Sequence, residues 1–301
     1  MLIGVCGVTG KQGGAVARYL LENNYQVRGL TRNVDSEKLN DLVNLGMEVR
    51  QADFDDSNSL QSVFEGCDAV FIMTNFWEHM NPTREFIQGK NLIDSAINSN
   101  IKHIIWSTLE DTRRFNDDIP YIGEYKVPHF DEKGNLNTYL ESRCIESNTI
   151  YTNLYTSFFY ENFLSTMKLQ SNENGVYPLY IPMNDTLLPM VSMLDIAKMV
   201  RCIIEKPILG NIGVASQHLT CSKIAEILSE TLERDVRHYY LPYDKYKQLG
   251  FPGAEDLGNM FEFKNVHNSR FCSLRNLTDI KLNFETTSFR EWCLEHKDQL
   301  L

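Results

Sequence analysis

Three glycines, Gly7, Gly10 and Gly13, stand at equal spacing in "GVTGKQGGAVARYLL", where an apolar run ends and helical spacing begins. Glycine at the first position permits a tight turn, at the second lets backbone approach a pyrophosphate, and at the third lets helix pack on strand. Backbone N–H groups at the start of that helix favour an anion. The chemistry implied by Gly7, Gly10 and Gly13 is therefore the cradling of a dinucleotide's phosphates. A second group follows in "RGLTRNVDSEK". A carboxylate at this strand end would accept hydrogen bonds from the 2′-hydroxyl of NAD, whereas Arg32, with Asn33 beside it, offers a fork for a 2′-phosphate and points to NADP. The plain alternative is a solvated arginine. Asp53 and Phe54 close the third strand in "QADFDD", where Asp53 is placed either to contact adenine or to cap the helix expected near Asn58.

These residues need strands that end beside one another. Apolar runs at 2–6, 26–30, 48–51, 69–73, 103–106 and 152–156 predict strands, and the segments between them carry apolar residues at helical spacings of three and four. "SEKLNDLVNLG" and "SNSLQSVFEG" are among those predicted helices. Strand and helix in alternation give an α/β fold with a parallel sheet and helices on both faces, whose ligands bind at the carboxyl ends of the strands. A helix at 193–205, a strand at 212–215 and a helix at 222–232 extend the pattern, so residues 1–157 are read as one domain to which 190–232 returns. Residues 158–189 and 233–301 lack the alternation and form the second lobe.

Composition excludes several other functions. Forty acidic and 29 basic residues give a formal charge of -11, with no basic tract for nucleic acid. Seven cysteines without a C-x-x-C pair suit reduced thiols, and the seven histidines show no zinc spacing. The first apolar stretch is too short for a signal peptide, and no run approaches a membrane span. The expectation is a cytoplasmic protein, with the nucleus as a second location.

Longer stretches carry a resemblance. "GVTGKQGGAVARYLL", "RGLTRN", "IMTNFWE", "HFDEKG", "FYENFLS" and "YKQLGFPGAEDLGNMFEF" together make the chain similar to the NmrA-like family, an atypical branch of the short-chain dehydrogenase superfamily, and especially to its NADP-sensing animal members. The resemblance implies a Rossmann-type doubly wound parallel sheet, a smaller α+β C-terminal lobe, and NADP in the cleft between them. Carried over by position, the cofactor contacts are the glycine loop with Thr9, Lys11 and Gln12, then Arg32, Asn33, Asp53, Phe54, Thr74, Asn75, Phe76, Lys133, Phe159, Tyr160, Glu161 and Asn162. Two departures reduce the positive charge: Asp35 and Ser36 follow the arginine where family members often place basic residues, and Ile87 stands where a lysine can occur.

Short-chain dehydrogenases use a Tyr-x-x-x-Lys helix, in which lysine holds the nicotinamide ribose and activates the tyrosine as proton donor. Here the frame reads His129 to Lys133, so the lysine is present and the tyrosine is not. Imidazole is itself a competent acid near neutral pH, which leaves His129, Lys133 and Ser107 as catalytic candidates. Glu161, after the sixth strand, has the charge to favour the cationic oxidised nicotinamide. The resulting expectation is an NADP(H)-responsive regulatory protein with protein partners; the alternative is an NADPH-dependent reductase of quinones or carbonyls. A homodimer is left open.

Overall fold

Runs rich in Val, Ile and Phe form the strands, and the computed structural model describes residues 1–301. Strands β1 (Leu2–Cys6), β2 (Gln26–Thr31), β3 (Glu48–Gln51), β4 (Ala69–Ile72), β5 (His103–Thr108) and β6 (Ile150–Tyr155) join an edge strand, Gly210–Gly213, in one seven-stranded sheet. The order from the Gly210–Gly213 edge is β6, β5, β4, β1, β2, β3. The pairs from β3 through β6 are all parallel. The order reverses between β1 and β4, which opens a crevice at their carboxyl ends. This is the Rossmann-type arrangement expected from the sequence.

Helices α1 (Lys11–Glu22), α2 (Asn40–Asn44), α3 (Pro82–Asn98), α4 (Pro128–Ile145) and α5 (Met193–Glu205) flank or follow these strands. Helix α3 starts where its sequence allows: Asn81 accepts the Arg84 N–H with its side chain, and Pro82 fills the first helical position. One face of α3 packs with α4 over β4 and β5, burying Leu92, Ile93, Leu136 and Leu140 against Phe64, Val70 and Trp106. Each such side chain contributes about 1.5–3 kcal/mol on full burial.

Two predicted helices shrink to turns. "SEKLNDLVNLG" keeps only a short 3-10 turn and the five-residue α2, and "SNSLQSVFEG" keeps a 3-10 turn at Ser57–Leu60. Local side chains capture the backbone there. Ser59 Oγ bonds the Asp53 and Asp56 carbonyls at 2.9 and 2.8 Å, and the Asp56 carboxylate accepts the Asn58 N–H at 2.9 Å. The Ser59 bonds compete with helix propagation, whereas the Asp56 bond caps the short turn.

The chain divides into two units. The first is Met1–Asp111, Pro128–Thr156 and Ile196–Ile212; the second is Thr112–Val127, Ser157–Asp195 and Gly213–Leu301. The return to the first unit is thus shorter than the 190–232 read from the sequence. It is anchored at the β6 edge, where the Thr152 hydroxyl donates to the Ile208 carbonyl and Asn153 Nδ2 donates to Asn211 Oδ1 at 2.9 Å. The helix Cys221–Leu232 belongs to the second unit because its apolar face packs on the strand Asp235–Tyr239 and the helix Phe289–Glu295.

The second unit is α+β. Phe158–Phe159 and Gln217–Leu219 pair with Leu188–Val191, and Val176–Tyr180 pairs in parallel with Asp235–Tyr239. Asp195 is fully buried and accepts from Ser216 Oγ at 2.5 Å, the Thr287 N–H at 2.8 Å and Thr287 Oγ1 at 3.1 Å. One carboxylate therefore joins three separated stretches of chain. No helix is long and apolar enough to cross a membrane.

Candidate functional site

The glycine turn leaves β1 at its carboxyl end. Gly7 has φ +66°, and a Cβ there would meet Met73 Sδ at 2.7 Å. At Gly13 a Cβ would lie 2.2 Å from the Cys6 carbonyl oxygen and 2.5 Å from that of Gly7, so helix start and strand end touch backbone to backbone. The Gly10 N–H closes the turn on the Gly7 carbonyl at 2.9 Å. Gly10 caps α1 without a side-chain bond, and the first turn holds no acidic residue. A helix start with no side-chain cap and no acidic residue presents its positive dipole end, which suits an anion such as a pyrophosphate. Gln12 is buried and donates to Ser107 Oγ at 2.8 Å, which ties α1 to the end of β5.

The strand ends on either side of β1 supply the next group. Arg32, exposed just past β2, pairs through Nη1 with Glu78 Oε1 at 2.5 Å. Its carbonyl accepts from Gln51 Nε2 at 3.2 Å. Asn33 Oδ1 accepts the Asp35 N–H at 3.0 Å, an Asx turn that fixes the exit from β2. Asp53 makes the same turn with the Asp55 N–H at 3.0 Å, and the helical turn beyond it is capped by Asp56 instead of Asp53. Phe54 packs against the core cluster, and its carbonyl accepts from Asn91 Nδ2 at 2.9 Å. Asn75 is exposed beyond β4, whereas Phe76 is 5% exposed.

Lys133 is the most constrained member. Its ammonium donates to the Thr74 carbonyl at 3.1 Å and to Thr74 Oγ1 at 2.7 Å, pairs with Glu85 Oε1 at 2.6 Å, and lies 5.2 Å from the centre of the Trp106 ring. Thr74 Oγ1 passes its own proton to Glu85 Oε1 at 2.6 Å. All three lysine N–H groups thus have acceptors inside the protein. Glu85 is fully buried, and its second oxygen faces His79 Nε2 at 3.6 Å. His79 Nδ1 accepts the Asn81 N–H at 3.0 Å, which leaves Nε2 as the protonated nitrogen of the neutral ring.

His129 shares the helix face of Lys133 but not its chemistry. The ring is 6% exposed and sits 4.7 Å from both Trp77 and Phe130 and 6.0 Å from Phe76. Phe159, Tyr160, Glu161 and Asn162 belong to the second unit. The ring of Tyr160 is fully buried against Phe289 and Trp292, and its hydroxyl donates to the Thr287 carbonyl at 3.2 Å. Burial raises its phenol pKa far above the usual range. Glu161 Oε1 accepts the Met193 N–H at 3.0 Å, so this carboxylate serves the start of α5. Phe159 and Asn162 are half-buried.

Sequence reasoning did not select Glu78, His79 or Glu85. Glu85 had a signal: it falls on the buried stripe of α3 with Gly89, Leu92 and Ala96, where an unpaired carboxylate is not tolerated. Glu78 had none, since its partner is distant in sequence.

A parallel sheet in this order, with a glycine turn at the switch beside β1, defines a Rossmann-type α/β protein. The NmrA-like family model matches residues 1–292, and the chain belongs to that family. An NmrA-like family domain-containing oxidoreductase of Penicillium ochrochloron is 28% identical over 285 residues, covering 87% of this chain and 83% of that one. A protein of the same description from Aspergillus versicolor is 32% identical over 210 residues, covering 64% of this chain and only 57% of its own length. Among solved structures, the chain is similar to NmrA, a negative transcriptional regulator, in complex with NADP (17% identity, TM-score 0.78, 98% and 94% covered). It is similar to the same regulator with NAD (19% identity, TM-score 0.79, 98% and 94% covered). The triphenylmethane reductase of Citrobacter sp. complexed with NADP(H) gives 21% identity and TM-score 0.75, with both chains covered completely. These likenesses are of fold.

Proposed function

We propose that this protein is an NADP(H)-binding redox sensor, a regulatory protein whose conformation or partners follow cofactor occupancy. The glycine turn would hold the pyrophosphate, Arg32 the 2′-phosphate and Lys133 the nicotinamide ribose. When bound, the cofactor brings a nicotinamide able to exchange hydride. The observation that carries the reading is the pair at 129 and 133. Lys133 stands at the lysine position of the frame, held there by Thr74 and Glu85, whereas the tyrosine position carries an imidazole enclosed among three aromatic rings. A partner that prefers the empty form is then released by cofactor, with reciprocal effects on affinity.

A second reading, an NADPH-dependent reductase of quinones or carbonyls, draws on the oxidoreductase names of the relatives and on Ser107 standing at the end of β5. Calorimetric titration with NADP, NADPH and NAD, followed by NADPH oxidation against quinones and carbonyls, separates the two. The sensor reading expects binding, thermal stabilisation of about 2.7 kcal/mol at a hundredfold excess over the dissociation constant, and negligible turnover. Robust turnover that His129→Ala abolishes and Lys133→Met impairs replaces it with the reductase. No binding of any cofactor removes both.

A further inference from the structure

Arg32 follows β2 and Glu78 lies in the turn after β4, and these two strands flank β1 on opposite sides. Strands in a sheet are spaced about 4.8 Å apart, so the ion pair reaches across roughly 10 Å over the carboxyl end of β1. The glycine turn leaves from that same end. Glu78 is the one acidic partner of Arg32, at 2.5 Å, and both side chains are more than a third exposed. The neighbouring cation, Arg84, is committed elsewhere, with its guanidinium forked on Asp55.

The geometry points to Glu78 as a specificity-determining residue that competes with the 2′-phosphate of NADP for Arg32. The inference rests on the reading of Arg32 given above. A phosphate and a carboxylate both seek the planar fork of the guanidinium, and the fork cannot serve both fully. A 2′-phosphate that takes the face of the fork including Nη1 displaces Glu78 and leaves that carboxylate near a group of like charge. NAD carries a neutral hydroxyl at the 2′-position and has no such displacement to make. Glu78 therefore narrows the preference for NADP that Arg32 creates, and it joins occupation of the 2′-phosphate position to movement of the 75–81 turn. That turn also carries His79, which faces Glu85, the partner of Lys133.

The test is a double-mutant cycle read by calorimetry with NADP and NAD. Glu78→Gln keeps the shape and removes the charge. It is expected to tighten NADP about two- to fivefold, the scale of an exposed ion pair, while NAD changes less than twofold. In an Arg32→Ala background the same substitution should no longer favour NADP. An unchanged NADP to NAD ratio in Glu78→Gln, with that ratio lowered by Arg32→Ala, overturns the competition and leaves the Arg32 reading standing. Equal tightening of NADP in the Arg32→Ala background also overturns it, because the effect is then long-range repulsion without competition. No change of ratio in Arg32→Ala overturns both.

Discussion

If Arg32 holds the 2′-phosphate as proposed, the bond its Nη1 makes to Glu78 in the free protein counts against that contribution. Removing a charge-assisted hydrogen bond costs about 1.5–3 kcal/mol, and the exposed ion pair lost from the free protein offsets up to about 1 kcal/mol. Arg32→Ala is thus expected to weaken NADP by about 0.5–3 kcal/mol and to leave NAD nearly unchanged in calorimetric titration. Equal weakening of both would take Arg32 out of the site. Arg32 was legible because a strand end preceded it and no carboxylate stood there. Lys133 was legible from its spacing to His129. The partners of both cations were not, since Glu78 and Glu85 are brought to them by strand order and helix packing, which one-dimensional spacing does not carry. Tyr160 and Glu161 followed a strand end as expected, yet aromatic packing and the start of α5 claimed their side chains.

At the level of elements, Glu85 and Lys133 form a staple between α3 and α4, with Thr74 after β4 as the third point. Glu85 is fully buried, so deleting it leaves an ammonium without its counter-charge. Breaking such a pair costs about 3–5 kcal/mol, while replacing both members by apolar groups of similar size is close to neutral. Urea unfolding should show Glu85→Ala destabilised by about that amount and Glu85→Met with Lys133→Met recovering most of it. A double variant no more stable than Glu85→Ala would mean that the α3–α4 contact, not the charge, carries the effect. The two helices were readable because their apolar stripes persist over several turns. The segments after β2 and β3 were not; after β3 the Ser59 hydroxyl turns back onto the Asp53 and Asp56 carbonyls and competes with a longer helix.

For the whole molecule, the sheet was legible from the alternation of apolar runs, whereas the division into units was not. No composition change marks Asp111, Thr156 or Ile212; the boundaries are set by which faces the helices cover. One buried group ties the sheet to pH. His103 on β5 is 4% exposed, and its Nε2 lies 2.8 Å from Thr152 Oγ1. The Thr152 hydroxyl gives its proton to Ile208, so Nε2 is the donor of the pair. Burial pushes this imidazole down from the ordinary 6.5 to about 4. The unfolded chain therefore takes up the proton first as pH falls. The contribution of His103 is whole above pH 6.5 and is lost on descending to about 4, with a full size of about 3 kcal/mol. Denaturant midpoints at pH 7.5, 5.5 and 4.5 should fall less steeply in His103→Gln than in the parent, and parallel curves would assign the acid sensitivity to other groups.

The bonds from β6 to Ile208 and Asn211 also bear on the order of events during synthesis. The nascent chain delivers β1 to β6 first, then the stretch Ser157–Asp195 of the other unit, and only afterwards the strand that covers β6. Through that interval β6 presents an open row of backbone donors and acceptors, the kind of template on which chains add to one another. Its exposure on the ribosome is therefore a matter of timing, ended by residues that arrive after a detour through the second unit.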